Sequence, residues 1–196
     1  MNGFDPNLAW IAAGAATLTA VVDGLARRGL GRRVPIGDEV EYLARVGSAE
    51  PWRHDPFLRV PLHALLLWAA GRGFGGAGGS ERGIDVLLHL VAMATAAALS
   101  LAAGLLEGPL AALVAGALWA LLPDRWVLSR RLWPDTTLAL AVSGVLLCLG
   151  RALDGRPSEV VTLGLLLAAA VGLRIDALIL IPVVICCLIV GPGLDL

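Results

Sequence analysis

Ile84-Asp85-Val86-Leu87-Leu88-His89-Leu90-Val91-Ala92-Met93-Ala94-Thr95-Ala96-Ala97-Ala98-Leu99-Ser100-Leu101-Ala102-Ala103-Gly104-Leu105-Leu106 holds one acid and one histidine, both near its start. A helix needs about 20 predominantly apolar residues to cross a hydrocarbon core of ~30 Å. This run is therefore the clearest full-length membrane span. Asp85 and His89 stand four residues apart and share a helix face, so the structural reading pairs them with each other and the alternative is a ligand site.

The flanking runs repeat the pattern. Upstream, residues 8–22 form a shorter span closed by Asp23-Gly24, and Asp23 precedes Arg27 by the four residues of an intrahelical ion pair. Downstream, Glu107-Gly108-Pro109 is a tight break, and residues 109–122 form a span ended by Pro123-Asp124. Residues 136–150 form another, opened by the cap signal Pro134-Asp135-Thr136. Val160 to Val190 is one apolar stretch interrupted by Arg174-Ile175-Asp176, giving two short helices or one broken one. A charge pair at that depth marks either a functional site or a self-neutralising structural pair. The expected fold is all-α: a polytopic helical membrane protein with about six transmembrane helices, in a single module over residues 1–196.

Composition supports this. With 58% hydrophobic residues and a mean hydropathy of +0.81, the chain has more apolar surface than one soluble core could hide. All fifteen basic residues are arginine, and the charges cluster between the apolar runs, as the cost of charge in lipid requires. A net charge of −1 gives no case for nucleic acid. Met1 to Pro6 lacks a basic segment, so the first run reads as a retained span and not a cleaved signal. Cys148, Cys186 and Cys187 lie in apolar runs without zinc-ligand spacing and read as small hydrophobes.

Two polar loops remain, at about 27–82 and 124–135. The first contains nine arginines, six acids, two of the three histidines and a glycine-rich linker from Gly71 to Gly79. Within it, Pro61 to Ala70 is too short to span and reads as a juxtamembrane or re-entrant helix. Its start holds Pro35-Ile36-Gly37-Asp38-Glu39-Val40-Glu41-Tyr42-Leu43-Ala44-Arg45. A helix over 38–46 places Asp38, Glu41, Tyr42 and Arg45 on one face and Val40, Leu43 and Ala44 on the other, suited to a membrane interface. A solvated connector is the plainer reading. The second loop's tryptophans and arginines also suit an interface. With the N-terminus inside, both loops lie outside, and three charged islands can converge: Asp38/Glu39, Arg130/Arg131/Asp135 and Arg174/Asp176. The arginine content of the first loop opposes this sidedness, because basic loops tend to stay cytoplasmic.

Five weak motifs occur in order: Gly37-Asp38-Glu39-Val40-Glu41-Tyr42-Leu43; Arg59-Val60-Pro61-Leu62 to Trp68 with a following Gly-Phe-Gly; Leu122-Pro123 to Ser129-Arg130; Pro134-Asp135-Thr136; and Gly172-Leu173-Arg174-Ile175-Asp176. Over nearly the whole chain this series resembles the GT-C superfamily of polytopic glycosyltransferases, which includes protein O-mannosyltransferases, aminoarabinose transferases and oligosaccharyltransferases. The resemblance implies an inverting transfer of a sugar from a polyprenyl-phosphate-linked donor to an acceptor hydroxyl or lipid, on the outer face of a bacterial plasma membrane. It implies Asp38 as catalytic base with Glu39 in support, and Tyr42, Arg59, His63, Arg130, Arg131, Arg174 and Asp176 as substrate-binding residues. The arginines would hold the lipid phosphate by charge-assisted contacts. Asp135, with Asp38, is implied as a ligand for a divalent cation, Mg2+ or Mn2+. Partners are the lipid-linked donor and membrane lipids. Because family members are usually considerably longer, the chain also fits the N-terminal module of a larger architecture. The alternatives are a non-catalytic subunit or half-enzyme needing a second membrane subunit, and a small transporter built on the broken helix.

Overall fold

The computed structural model describes residues 5–29, 40, 42–43, 61–74, 80–128, 131–132, 134–153 and 157–190, and every regular element among them is helical. The helices are α1 (Pro6–Gly29), α2 (Pro61–Phe74), α3 (Ser80–Glu107), α4 (Pro109–Leu121), α5 (Pro123–Leu128), α6 (Asp135–Leu153), α7 (Pro157–Leu173) and α8 (Leu180–Val190), with a 3-10 turn at Ile175–Ile179 before α8. Five begin on proline, whose fixed φ suits the first helical position and whose missing N–H would have had no helical partner there. Segments within α1, α3 and α6 are long and apolar enough to cross a membrane. Pro109–Leu121, Ser158–Leu173 and Ile175–Val190 are shorter apolar helices. The chain is thus an all-α polytopic membrane protein in which three of the six expected spans reach full length.

Helix α3 is the centre, with α1, α2, α4 and α6 packed against it. Leu88, Ala92, Ala96, Ser100 and Gly104 recur every fourth residue along α3 and are all buried, as are Ala112, Gly116 and Ala120 on α4. Lipid offers no hydrophobic drive between helices, so association depends on close van der Waals packing, which small residues permit. A Cβ on Gly104 would lie 2.5 Å from Leu8 Cδ2, and one on Gly116 would lie 2.5 Å from Ala15 Cβ and collide with Ser100 Oγ. Gly116→Leu should therefore lower stability by about 1–3 kcal/mol through overpacking. Gly164→Leu, with nothing within 4 Å of the added Cβ, should leave the melting midpoint in detergent unchanged. Equal shifts in the two variants would contradict this account of the α1–α3–α4 contact.

Gly108 turns the chain between α3 and α4 with φ 89°, a conformation that favours glycine, and donates its N–H to Gly104 O at 3.0 Å. From there α4 returns antiparallel along α3, where Trp119 Nε1–H donates to Ala92 O at 3.1 Å. The end of α1, the starts of α3 and α6, helix α5 and the end of α7 consequently meet at one face of the bundle. Both polar loops leave from this face.

Several local expectations change. Helix α1 does not close at Asp23 but continues to Gly29. Asp23 is 2% exposed and pairs with Arg125, also 2% exposed, at 2.5 Å, so its charge is neutralised without leaving the helix. The expected pairs within single helices are replaced by pairs between helices: His89 Nδ1 stands 3.4 Å from Asp23, and Arg27 stands 3.8 Å from Asp85. Helix α2 runs through Gly71 and Gly73 to Phe74, beyond the expected end at Ala70 and into the expected linker. The Arg72 guanidinium sits 4.9 Å from the Trp68 ring one turn earlier, a cation–π contact that supports this last turn. Arg125, expected at a membrane interface, is buried because Asp23 and Ala120 O accept its hydrogen bonds.

Candidate active site

Arg174 is where α7 stops. Its N–H still donates to Ala170 O at 2.9 Å, but its own backbone is extended (φ −153°, ψ 129°), and Ala177 N–H then bonds to Arg174 O at 3.1 Å to begin the 3-10 turn. The expected break in the last apolar stretch therefore falls at Arg174. Its guanidinium bridges two acids. NH1 donates to Asp135 Oδ1 at 2.6 Å, while Nε and NH2 grip Asp176 Oδ1 and Oδ2 at 3.2 and 2.7 Å. Asp135 occupies the first turn of α6, where the helix dipole also favours a negative charge. The second and third charged islands thus converge through the Asp135–Arg174–Asp176 cluster.

This cluster is open to ligand. The Arg174 and Asp135 side chains are about one-third exposed and Asp176 is 63% exposed. These three bonds use three of the five guanidinium N–H groups, leaving two donors for an added anion. The arrangement can thus fix the fork of an arginine in one orientation while offering it to a phosphate oxygen.

His63 and Tyr42 lie elsewhere. His63 is 1% exposed, with Nε2 2.7 Å from Leu132 O and Nδ1 3.2 Å from Thr137 Oγ. Burial pushes its imidazole below the ordinary 6.5, against the opposing pulls of the Leu132 carbonyl and nearby Asp135. Neutral imidazole keeps one N–H, and the Leu132 carbonyl requires it on Nε2. Tyr42 is buried against the His63 ring, edge-on at 5.1 Å, and Val40 is exposed. Tyr42, expected on the polar face, instead packs with Leu67, Leu88 and Leu132, and Leu43 packs against the same cluster, because the aromatic ring gains more from burial there than from an interface. Both side chains are buried in this structure. Arg131 is half-buried beside Leu132, on the approach to Asp135. Asp38, Glu39, Arg59 and Arg130 lie outside the described residues.

Among the described residues, no three His, Cys, Asp or Glu side chains gather as a metal site. The acids at Asp135 and Asp176 share a guanidinium that already neutralises part of their charge. Both acids pair with Arg174, and Asp38, the other expected cation ligand, lies outside the described residues.

Sequence reasoning missed Thr137 and Arg125. Thr137 had no signal beyond its position after the Asp135 cap. Arg125 had one: Asp23, His89 and Arg125 all lie near the ends of apolar runs that open toward the two polar loops.

Fold and cluster together define a polytopic helical membrane protein whose polar chemistry collects at one face. The family model for dolichyl-phosphate-mannose-protein mannosyltransferase matches residues 59–195, and the chain belongs to that family. It is a glycosyltransferase family of GT-C type that uses polyprenyl-phosphate-linked sugar donors. The match takes in His63, Asp135, Arg174 and Asp176, whereas Asp38, Glu39 and Tyr42 precede it. No curated protein and no solved structure matches the chain.

Proposed function

We propose that this chain transfers a sugar, with inversion, from a polyprenyl-phosphate-linked donor to an acceptor hydroxyl or lipid at the outer face of the plasma membrane. The observation that carries this reading is the Asp135–Arg174–Asp176 cluster, open at the face from which both polar loops leave. Arg174 holds the donor phosphate with its two remaining N–H groups. As the bond between the anomeric carbon and the phosphate oxygen breaks, charge accumulates on the phosphate, and the guanidinium stabilises it there. Asp135 and Asp176 keep the fork oriented, and Arg59, Arg130 and Arg131 add positive charge around the leaving group. Asp38, supported by Glu39, takes the proton of the acceptor hydroxyl as that oxygen attacks the anomeric carbon from the opposite side.

The test is transfer of radiolabelled mannose from polyprenyl-phosphate mannose, measured in membranes containing the full chain. Asp38→Asn should lower the rate about 10²- to 10⁴-fold, the range for loss of a general base, at undiminished protein level. Wild-type turnover in that variant would remove Asp38 from the mechanism, and absence of transfer by the unaltered chain across mannose and other polyprenyl-phosphate sugars would overturn the activity.

A further inference from the structure

Asp135 is held between two anchor points of a single buried histidine. His63 Nε2–H donates to Leu132 O, three residues before Asp135, and Nδ1 meets Thr137 Oγ, two residues after it. The single Thr137 hydroxyl proton can go either to Nδ1 or to Pro134 O at 2.8 Å, where Leu138 N–H also donates at 2.7 Å, so the bond to Leu132 O is the stronger of the two anchors. Leu132 and residues 134–138 are thus laced to α2 through one side chain. The apolar side is equally closed. Leu132 is fully buried with Tyr42, Leu67, Ile84 and Leu88. Tyr42 comes from the first loop, so the ring that covers His63 belongs to the segment carrying Asp38 and Glu39.

An imidazole and a carbonyl buried among leucines would each be costly if left unpaired. Paired, they select one placement of the turn, since a buried donor has no water to accept its bond instead. We infer that His63 is a positioning residue: it seats Leu132 and Thr137 so that Asp135, between them, meets Arg174, with the Tyr42 ring packed edge-on against its own. The seat itself stands on the geometry, and its consequence for turnover rests on the glycosyltransferase reading above. A displacement of about 1 Å at a reacting group can cost on the order of 10²-fold in rate, so a histidine that never touches substrate can control the reaction.

Two readouts on the full chain in detergent or nanodiscs test this. In His63→Leu, hydrogen exchange of the amides at 136–138 should rise. The kcat for polyprenyl-phosphate mannose should fall about 10- to 100-fold, with a smaller change in donor KM, and the melting midpoint should drop modestly because the Leu132 carbonyl loses its donor, with the variant still folded at the assay temperature. His63→Gln, which keeps an N–H donor of similar reach toward Leu132 O, should recover most of both. Thr137→Val, losing only the weaker anchor, should loosen the same amides less and serves if His63→Leu does not fold. Unchanged exchange at 136–138, or Gln behaving no better than Leu, would overturn the proposal. So would a loss of kcat accounted for by a matching loss of folded protein. If the unaltered chain transfers no sugar, the activity reading fails, and the exchange measurement alone then decides the seat.

Discussion

Asp23→Asn lowers stability by about 3–5 kcal/mol, the usual result of stripping one partner from a buried ion pair. The site explains the size. Asp23 and Arg125 are each 2% exposed, and Arg125 NH1 donates to Asp23 Oδ1 at 2.5 Å while NH2 donates to Ala120 O at 3.0 Å. Without the carboxylate charge, the guanidinium is left inside α1, α3 and α4 with a backbone carbonyl and an amide for company. Neutralising both sides tells a different story. Asp23→Leu with Arg125→Met removes both desolvation costs at once, so the double variant should be markedly more stable than Asp23→Asn. His89, which faces Asp23 at 3.4 Å, is about one-third exposed and can turn to water. Thermal melting in detergent distinguishes the cases. A shift for Asp23→Asn no larger than that of Glu107→Gln, at the exposed end of α3, would show that the pair contributes nothing to folding.

Arg174→Gln should lower transfer about 10²- to 10³-fold, the range for loss of one donor aimed at developing charge, while the melting midpoint stays close to that of the unaltered protein. The separation between the two effects follows from exposure. Ion pairs this open to solvent contribute little to stability, because water and salt compete for both partners. The same openness makes the guanidinium available to a donor phosphate. Arg174→Lys should not restore activity. The fork reaches Asp135 from NH1 and Asp176 from Nε and NH2 simultaneously, and a single ammonium cannot span both acids and still present donors outward. Steady-state kinetics with polyprenyl-phosphate mannose would decide the matter. Full turnover in the lysine variant would mean that charge suffices and that the fork geometry is incidental.

Much of the fold was legible because membrane helices announce themselves locally. Each span is a contiguous apolar run, and prolines, Gly108 and the Arg174 break mark the ends. The neighbours of each polar residue were not legible in that way. Asp23 with Arg27 and Asp85 with His89 both carry the spacing of an intrahelical pair, and both form their pairs between helices. Spacing reports which residues share a face, but not what that face meets. The same limit applies to Tyr42, whose place on a polar helical face said nothing of the histidine and leucines waiting on α2 and α3.

The candidate site divides along that line. Asp135 and Arg174 were identifiable from sequence because a charge inside or beside an apolar run is expensive and needs a reason. Their meeting, across 39 positions of the chain, depends on the α6–α7 hairpin returning Arg174 to the level at which α6 begins. His63 illustrates the remainder: its family-like setting suggested substrate, whereas the fold buries it and gives it Leu132 and Thr137 to hold. The sequence by itself determined an all-α membrane protein, the approximate ends of its spans and which ionisable residues needed explaining, since the cost of polar groups in lipid acts residue by residue. Only the tertiary structure decided how those residues pair and which of them reach solvent, because burial and hydrogen-bond partners are properties of helices packed together.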